Sequence, residues 1–229
     1  ALASALSGKQ VAIALAGADK DRYGRKPAQV FVSGDWLQDI LVRDGLAKVV
    51  PDAASASCVA PLLAAEAEAR ARHIGHWGDG LLDVMQATNL EDLRRRVGRF
   101  EIVEGVVVSA ALVGGRAYLN FGDDRKTDFT ATVEPDDMHN FPGGKKRIKA
   151  LTGQRVRMRG WLENFNGPEI SLARPEALEL ASDAPLAAKG IRLPRPKHKP
   201  RRPKLSTDLN LGPAKKQTAR KISAPLAQP

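Results

Sequence analysis

The run Asp21-Arg22-Tyr23-Gly24-Arg25 sets two guanidiniums, a phenol ring and a carboxylate within five residues. A guanidinium donates two parallel hydrogen bonds to a phosphate, which a lysine ammonium does not. Placed where two strands meet, an arginine and a tyrosine suit the holding of a phosphate. The plain alternative is a surface arginine in a polar hairpin loop. Other titratable groups read as structural. Asp44 and the Glu66/Glu68 pair suit capping and a charged helix face. His73 and His76 lack companions at ligand spacing, so no metal site is expected. The single cysteine, Cys58, excludes an internal disulfide and a cysteine-rich zinc site.

Apolar runs on either side of this turn read as the strands that position it, Val11–Leu15 and Ala28–Val32. Asp35 is placed to cap a helix starting at Trp36, with Leu37, Ile40 and Leu41 on one face and Gly45 as a left-handed end. Leu46–Val50 reads as a short strand. A second helix spans Val59–His73, with Pro61 in its first turn and acid-to-base pairs Glu66–Arg70 and Glu68–Arg72 at i,i+4. Trp77 is expected to anchor that helix in the core. Ala1–Leu6 reads as the end of a helix, and Leu81–Arg96 as a connector with helical character.

A second unit runs from about Val97 to Leu180. Strands are expected at Glu101–Ala110, Arg116–Phe121 and Asp128–Val133, then an irregular to helical Pro135–Leu151 carrying Lys145, Lys146, Arg147 and Lys149. Arg155–Phe165 alternates, with Val156 and Met158, then Trp161 after Gly160, opposite arginines 155, 157 and 159. Asn166-Gly167 predicts a hairpin into Glu169–Leu172, and Ala177–Leu180 closes the unit. Three strands, a helical link and two more strands is the order of a five-stranded Greek-key barrel, the OB-fold. A face with Tyr118, Phe121 and Trp161 beside Arg157 and Arg159 suits base stacking and backbone tracking. The competing expectation puts at least two of those three aromatics in the core.

The turn, Asp44-Gly45-Leu46-Ala47-Lys48-Val49 after a helix, and Glu66–Arg72 leading to Gly75-His76-Trp77-Gly78 keep an order and spacing that resembles the second half of a thermonuclease (staphylococcal nuclease-like) domain over roughly Ser7 to Gly80. The resemblance implies an OB barrel with packed helices and calcium-dependent hydrolysis of DNA and RNA phosphodiesters. It implies that Arg25 is the catalytic arginine on the phosphate, with Arg22 and Tyr23 flanking the nucleotide. The metal-binding aspartates, a first arginine and the catalytic glutamate of that family lie upstream of the strand matched by Val11–Leu15. The ten residues before Val11 hold no acid and no arginine. The chain is therefore expected neither to bind calcium in the family manner nor to complete its first barrel. Gly105-Val106-Val107, Tyr118–Gly122, Asp128-Phe129-Thr130 and Arg157–Trp161 with Asn166–Glu169 resemble a small barrel found after thermonuclease domains in some bacterial proteins.

The expected fold class is thus mainly β with helices: a partial nuclease-type OB barrel over 1–80, a connector over 81–96, an OB-like barrel over 97–182, and a disordered tail over 183–229. The net charge of +10 belongs to that tail. Residues 184–229 hold 12 Lys/Arg against one acid, Asp208, for +11, and the first 183 hold 24 Lys/Arg against 25 Asp/Glu, for −1. With eight of the fifteen prolines and no aromatic residue, the tail buries too little to offset its ordering entropy. It attracts polyanions by counterion release, or tethers the protein to an anionic surface. No apolar run is long enough to span a membrane. The chain opens on Ala1 without a signal-like segment, which reads as a fragment or a processed form. A bacterial protein, exported or held at the cell envelope, is favoured over a cytoplasmic one. Two functions follow: a thermonuclease-family phosphodiesterase in its complete form, or a non-catalytic nucleic-acid-binding or scaffold protein.

Overall fold

The computed structural model describes residues 6–15, 20–21, 23–51, 56–124 and 126–181. The expected tail, Arg22 and most of the Ala1–Leu6 piece lie outside these residues. The architecture is mainly β with helices, as expected.

The first segment is a small antiparallel sheet backed by two helices. β1 (Val11–Leu15) pairs with β2 (Ala28–Val32) from Val11↔Val32 to Leu15↔Ala28. β3 (Asp35–Trp36) adds to the other side of β2, with Phe31 opposite Trp36. Asp35 is thus a strand residue rather than a helix cap, and α1 (Leu37–Arg43) begins at Trp36 without a side-chain cap bond. The Gln38 amide extends the β2 ladder, accepting from Val30 N at 3.1 Å and donating to Ala28 O at 2.9 Å. Gly45 ends α1 at φ +65°, and a Cβ there would lie 2.0 Å from the Ile74 carbonyl oxygen. Only glycine fits that approach.

Residues 46–50 form no strand. Their backbone is held by a side chain instead: Val49 N donates to Glu66 Oε2 at 2.6 Å. α2 (Ala56–Ala71) starts before Val59, so Pro61 sits inside the helix and not in its first turn. Val59, Leu62 and Ala65 of α2 pack with Val42 of α1 and with Val49. Trp77 is buried with Ala69 and Ile102, as expected for an anchor, and the Arg70 guanidinium lies 5.8 Å from its ring.

The connector holds β4 (Met85–Gln86), parallel to the next strand, and α3 (Leu90–Arg95), whose Asn89 cap accepts from Asp92 N. The second unit follows as β5 (Phe100–Val106), β6 (Ser109–Val113), β7 (Arg116–Asn120), β8 (Thr130–Val133), α4 (Gly144–Lys149), β9 (Arg155–Asn164), β10 (Pro168–Ser171) and β11 (Leu178–Leu180). Its sheet runs β4-β5-β9-β10-β8-β7-β6, with β11 on β9, and β10 parallel to β8. The ladder is not a closed ring. Its ends are β4 and β6; β5, beside β4, runs on into β6 through a bend at Val107-Val108, where Val107 N bonds Gln154 O and Val108 N bonds Asn120 O. Chain continuity, and not a ladder, links β5 to β6, and the sheet is consistent with an OB-like fold without closing into the barrel expected from the sequence.

The interior of this unit holds Val103, Leu119, Phe129, Ala131, Val156, Met158, Leu162 and Ile170, none measurably exposed. β9 alternates without a break through Gly160, pairing with β5 from Arg155↔Val106 to Trp161↔Phe100. Gly160 therefore points inward, where a Cβ would stand 2.5 Å from Ile170 Cγ2. Trp161 consequently shares the outer face with Arg155, Arg157 and Arg159, and not the core face with Val156 and Met158.

α2 meets that outer face at Arg159. Arg159 Nη1 lies 2.8 Å from Glu66 Oε1, with the two side chains 2% and 0% exposed. Nη1 also reaches the Val49 carbonyl at 3.3 Å, and Nη2 reaches Glu179 at 3.3 Å. Arg70 bonds Glu66 at 3.1 Å, and burial together with the Arg157 charge presses its pKa below the ordinary arginine value. Lys48 meets Glu101 at 2.6 Å in a second link between the segments. Glu66 is thus a buried coupling group and not the exposed helix-face charge its i,i+4 spacing suggested. Leaving one charge of such a pair buried alone is strongly unfavourable. Arg159→Met should lower unfolding stability by about 3–5 kcal/mol. The double variant Arg159→Met/Glu66→Leu should recover most of the loss, read as urea midpoints at constant slope.

Candidate functional site

The Asp21–Arg25 turn is organised by its own carboxylate. Asp21 Oδ1 accepts from Tyr23 N at 2.9 Å and Arg25 N at 2.8 Å, and Oδ2 accepts from Arg25 Nε at 2.7 Å. Backbone bonds Gly24 N to Asp21 O and Asp21 N to Arg25 O close the turn, with Gly24 at φ +75°. This is the side-chain-to-backbone pattern that short acidic residues supply in turns. Arg25 is held at Nε while its side chain stays 72% exposed, and its guanidinium sits 4.8 Å from the Tyr23 ring. The fork is oriented, and its outer nitrogens point to solvent reach.

Tyr23 meets the second unit. Its ring lies 5.9 Å from that of Trp161 at 65°, and Trp161 lies 5.9 Å from Phe100 at 76°. Both are edge-to-face contacts. Between this turn and the barrel wall opens a cleft of about 970 Å³, bordered by Arg25, Tyr23, Trp161, Phe100, Asn140 and Arg174. Arg174 is only 3.6 Å from Glu176, and neither Arg174 Nε nor Glu176 Oε2 has a hydrogen-bond partner among the described residues.

The cleft itself is charge-balanced. Arg25, Arg159 and Arg174 face Asp21, Asp137 and Glu163, and Arg159 is already taken by Glu66. Such a lining sets up no broad positive field. Among the described residues no three His, Cys, Asp or Glu side chains converge as a metal ion requires. Asp21, the carboxylate nearest Arg25, is engaged by Arg25 and by two backbone N–H groups. Among the described residues no set fits the calcium centre that the resemblance implies.

The expected site residues separate into two groups. Tyr23, Arg25 and Trp161 come together at the cleft, and Arg22 lies outside the described residues. Tyr118 is half-buried and does not border the cleft, with the Arg116 guanidinium 5.3 Å from its ring. Phe121 is in the core, 5% exposed and 5.2 Å from Phe129, so it offers no face to a ligand. Arg159 is buried against Glu66. Arg157 gives Nε and Nη2 to Glu104 at 3.0 and 2.5 Å and Nη1 to Glu179 at 3.3 Å. Neither arginine is available to track a nucleic-acid backbone, because cross-strand and helix carboxylates occupy their donors. Of the three aromatics, one is in the core and two are half-buried. Phe100 and Arg174 entered the site unannounced, since nothing in their local pattern marks them. Glu66 did carry a signal: it falls on the 59, 62, 66, 69 stripe of α2 with Val59, Leu62 and Ala69, the buried face.

Partial removal from water raises the Asp21 pKa, but the Arg25 N–H, the Arg25 guanidinium and the Tyr23 N–H outweigh it and hold the carboxyl below the ordinary 3.8. A folded-state pKa below the unfolded one makes a contribution present above the unfolded value and lost as pH falls through the folded value. The turn should therefore persist to below pH 3.8. An NMR titration of the Asp21 carboxyl should show its midpoint under that value, and in Asp21→Asn the Tyr23 and Arg25 amide shifts should lose this step.

Residues 1–79 match the model of the family described as Staphylococcal nuclease homologue. The likeness to a thermonuclease-type nuclease family is thereby shown for this segment. No curated protein matches the chain.

Proposed function

We propose that this chain provides the strand-holding part of a nucleic-acid phosphodiesterase of the thermonuclease kind. Arg25 binds a phosphate through its outward nitrogens, and Tyr23 and Trp161 receive the adjoining nucleotide. The observation that carries the reading is the Tyr23–Trp161 contact, which sets the oriented Arg25 at the mouth of a cleft with aromatic walls. A guanidinium fixed before the ligand arrives needs no reorganisation to offset charge on phosphoryl oxygens. The family match over residues 1–79 supports nucleic acid as the partner.

Calcium-dependent hydrolysis is proposed only where a carboxylate set accompanies Arg25. The residues described here bind and orient. The second reading is a non-catalytic binder that uses the same cleft without cleavage. The basic tail adds sequence-independent attraction in either case.

Anisotropy titration of a labelled single-stranded oligonucleotide, repeated across salt, separates these contributions. Arg25→Ala should weaken binding roughly 10- to 100-fold, the worth of a charge-assisted hydrogen bond, and reduce the salt slope by about one. Arg25→Lys should fall between, keeping the charge without the fork. Equal affinities in all three would remove Arg25 from the site. Cleavage of the oligonucleotide by this chain in calcium would set aside the binding-only reading.

A further inference from the structure

A second pocket of about 240 Å³ lies where the β6–β7–β8 face meets the β9–β10 hairpin. Tyr118, Asn120, Thr130, Phe165, Asn166 and Glu169 border it. We propose that this pocket takes one unpaired guanine base of a single strand, an inference that rests on the nucleic-acid reading above.

Two aromatic faces flank the opening. Tyr118 is fixed beside the Arg116 guanidinium, and Phe165 stands 62% exposed at the hairpin tip. Asn166 and Gly167, at φ +51° and +98°, make the tight turn that presents Phe165 there. An exposed phenylalanine beside a half-buried tyrosine offers a flat ring two stacking surfaces.

The floor is made of acceptors. Both hydrogen bonds to Glu169 fall on Oε1, from Arg116 Nη2 at 2.6 Å and Thr132 Oγ1 at 3.2 Å. Oε2 is left without a partner among the described residues. Asn120 Nδ2 donates to Ser109 Oγ at 3.0 Å, which leaves its Oδ1 as the group to be met. Burial pushes the Glu169 carboxyl up despite the Arg116 charge, as expected of an acceptor short of donors.

These groups select the ligand. A phosphate is disfavoured by the carboxylate, and Arg116 is engaged by Glu169 and by Glu134 at 3.0 Å. A flat ring with two adjacent N–H donors is favoured. Guanine presents N1–H and the N2 amino group side by side, two donors for the open acceptors Glu169 Oε2 and Asn120 Oδ1. Adenine and cytosine set a ring acceptor beside their amino group, and uracil or thymine sets carbonyls on either side of its one N–H.

The two sites lie on one path. β9 carries Trp161 at the cleft and continues through Glu163 toward Phe165, about 14 Å farther along at strand rise. A strand whose phosphate rests on Arg25 can follow β9 and place a later base at the second pocket.

The test titrates the full chain with labelled thymine-rich single strands carrying one central G, A or C. Wild type should prefer the G strand by roughly tenfold, the discrimination of one good bidentate base contact. Glu169→Gln, which keeps an acceptor for Arg116 and Thr132, should abolish that preference while leaving affinity for the all-thymine strand and its Arg25 dependence intact. Phe165→Ala should weaken G-strand binding, with thermal melts confirming that both variants fold. Equal affinity for the bases, or a preference surviving Glu169→Gln, overturns the pocket but not the cleft. Should wild type bind no strand, the nucleic-acid reading fails, and guanosine monophosphate titrated against the Tyr118 and Phe165 ring signals decides the pocket alone. Shifts there support it; their absence, or shifts with neutral oligosaccharides instead, overturns it.

Discussion

A salt bridge sealed from water, Glu66 to Arg159, is the constraint on which the arrangement depends. Two charges buried together are tolerable only when geometry and further hydrogen bonds compensate their lost hydration. Here Val49 N, Arg70 and Glu179 supply those bonds. The group that results ties α2, the 46–50 segment and β9 at one point. It leaves little freedom for the first segment to shift on the barrel, because any shift exposes an unmatched buried charge.

The cleft is a consequence of that docking. With α2 seated on the arginine face of β9, the chain leading into β2 carries the Asp21–Arg25 turn to the neighbouring part of the same face. Trp161, two residues beyond Arg159, then meets Tyr23. One strand therefore serves two purposes through its outward positions: Arg159 holds the first segment through Glu66 and the Val49 carbonyl, and residue 161 lines the site. The interior of the barrel decides the phase. Gly160 must face inward against Ile170, and that sets Trp161 outward.

The sheet of the first segment shows the opposite situation. Val11, Ile13 and Leu15 form one apolar face of β1, and Ile13 and Leu15 are each about two-thirds exposed. The pairing of β1 with β2 is complete, so the exposure belongs to packing and not to register. The turn that β1 and β2 deliver is nonetheless self-supporting, because Asp21 satisfies it locally.

Much of this was legible in the residues. Alternation and turn signals placed the β1–β2 pair, α1 with its Gly45 end, α2 and the order of the barrel strands, since each rests on local periodicity and on backbone angles that particular residues permit. The turn at Asp21–Arg25 was legible for the same reason, as its hydrogen bonds lie within five residues. What tertiary structure alone decided was the use of each polar side chain. Arg157 and Arg159 looked like ligand-facing cations until carboxylates from Glu104, Glu179 and Glu66, distant in sequence by 20 residues or more, met them. Phe121 went to the core, and Phe100 and Arg174 reached the cleft. A local pattern specifies which face a residue points from. The free energy of burying its charge or ring depends on what the rest of the chain brings to that face.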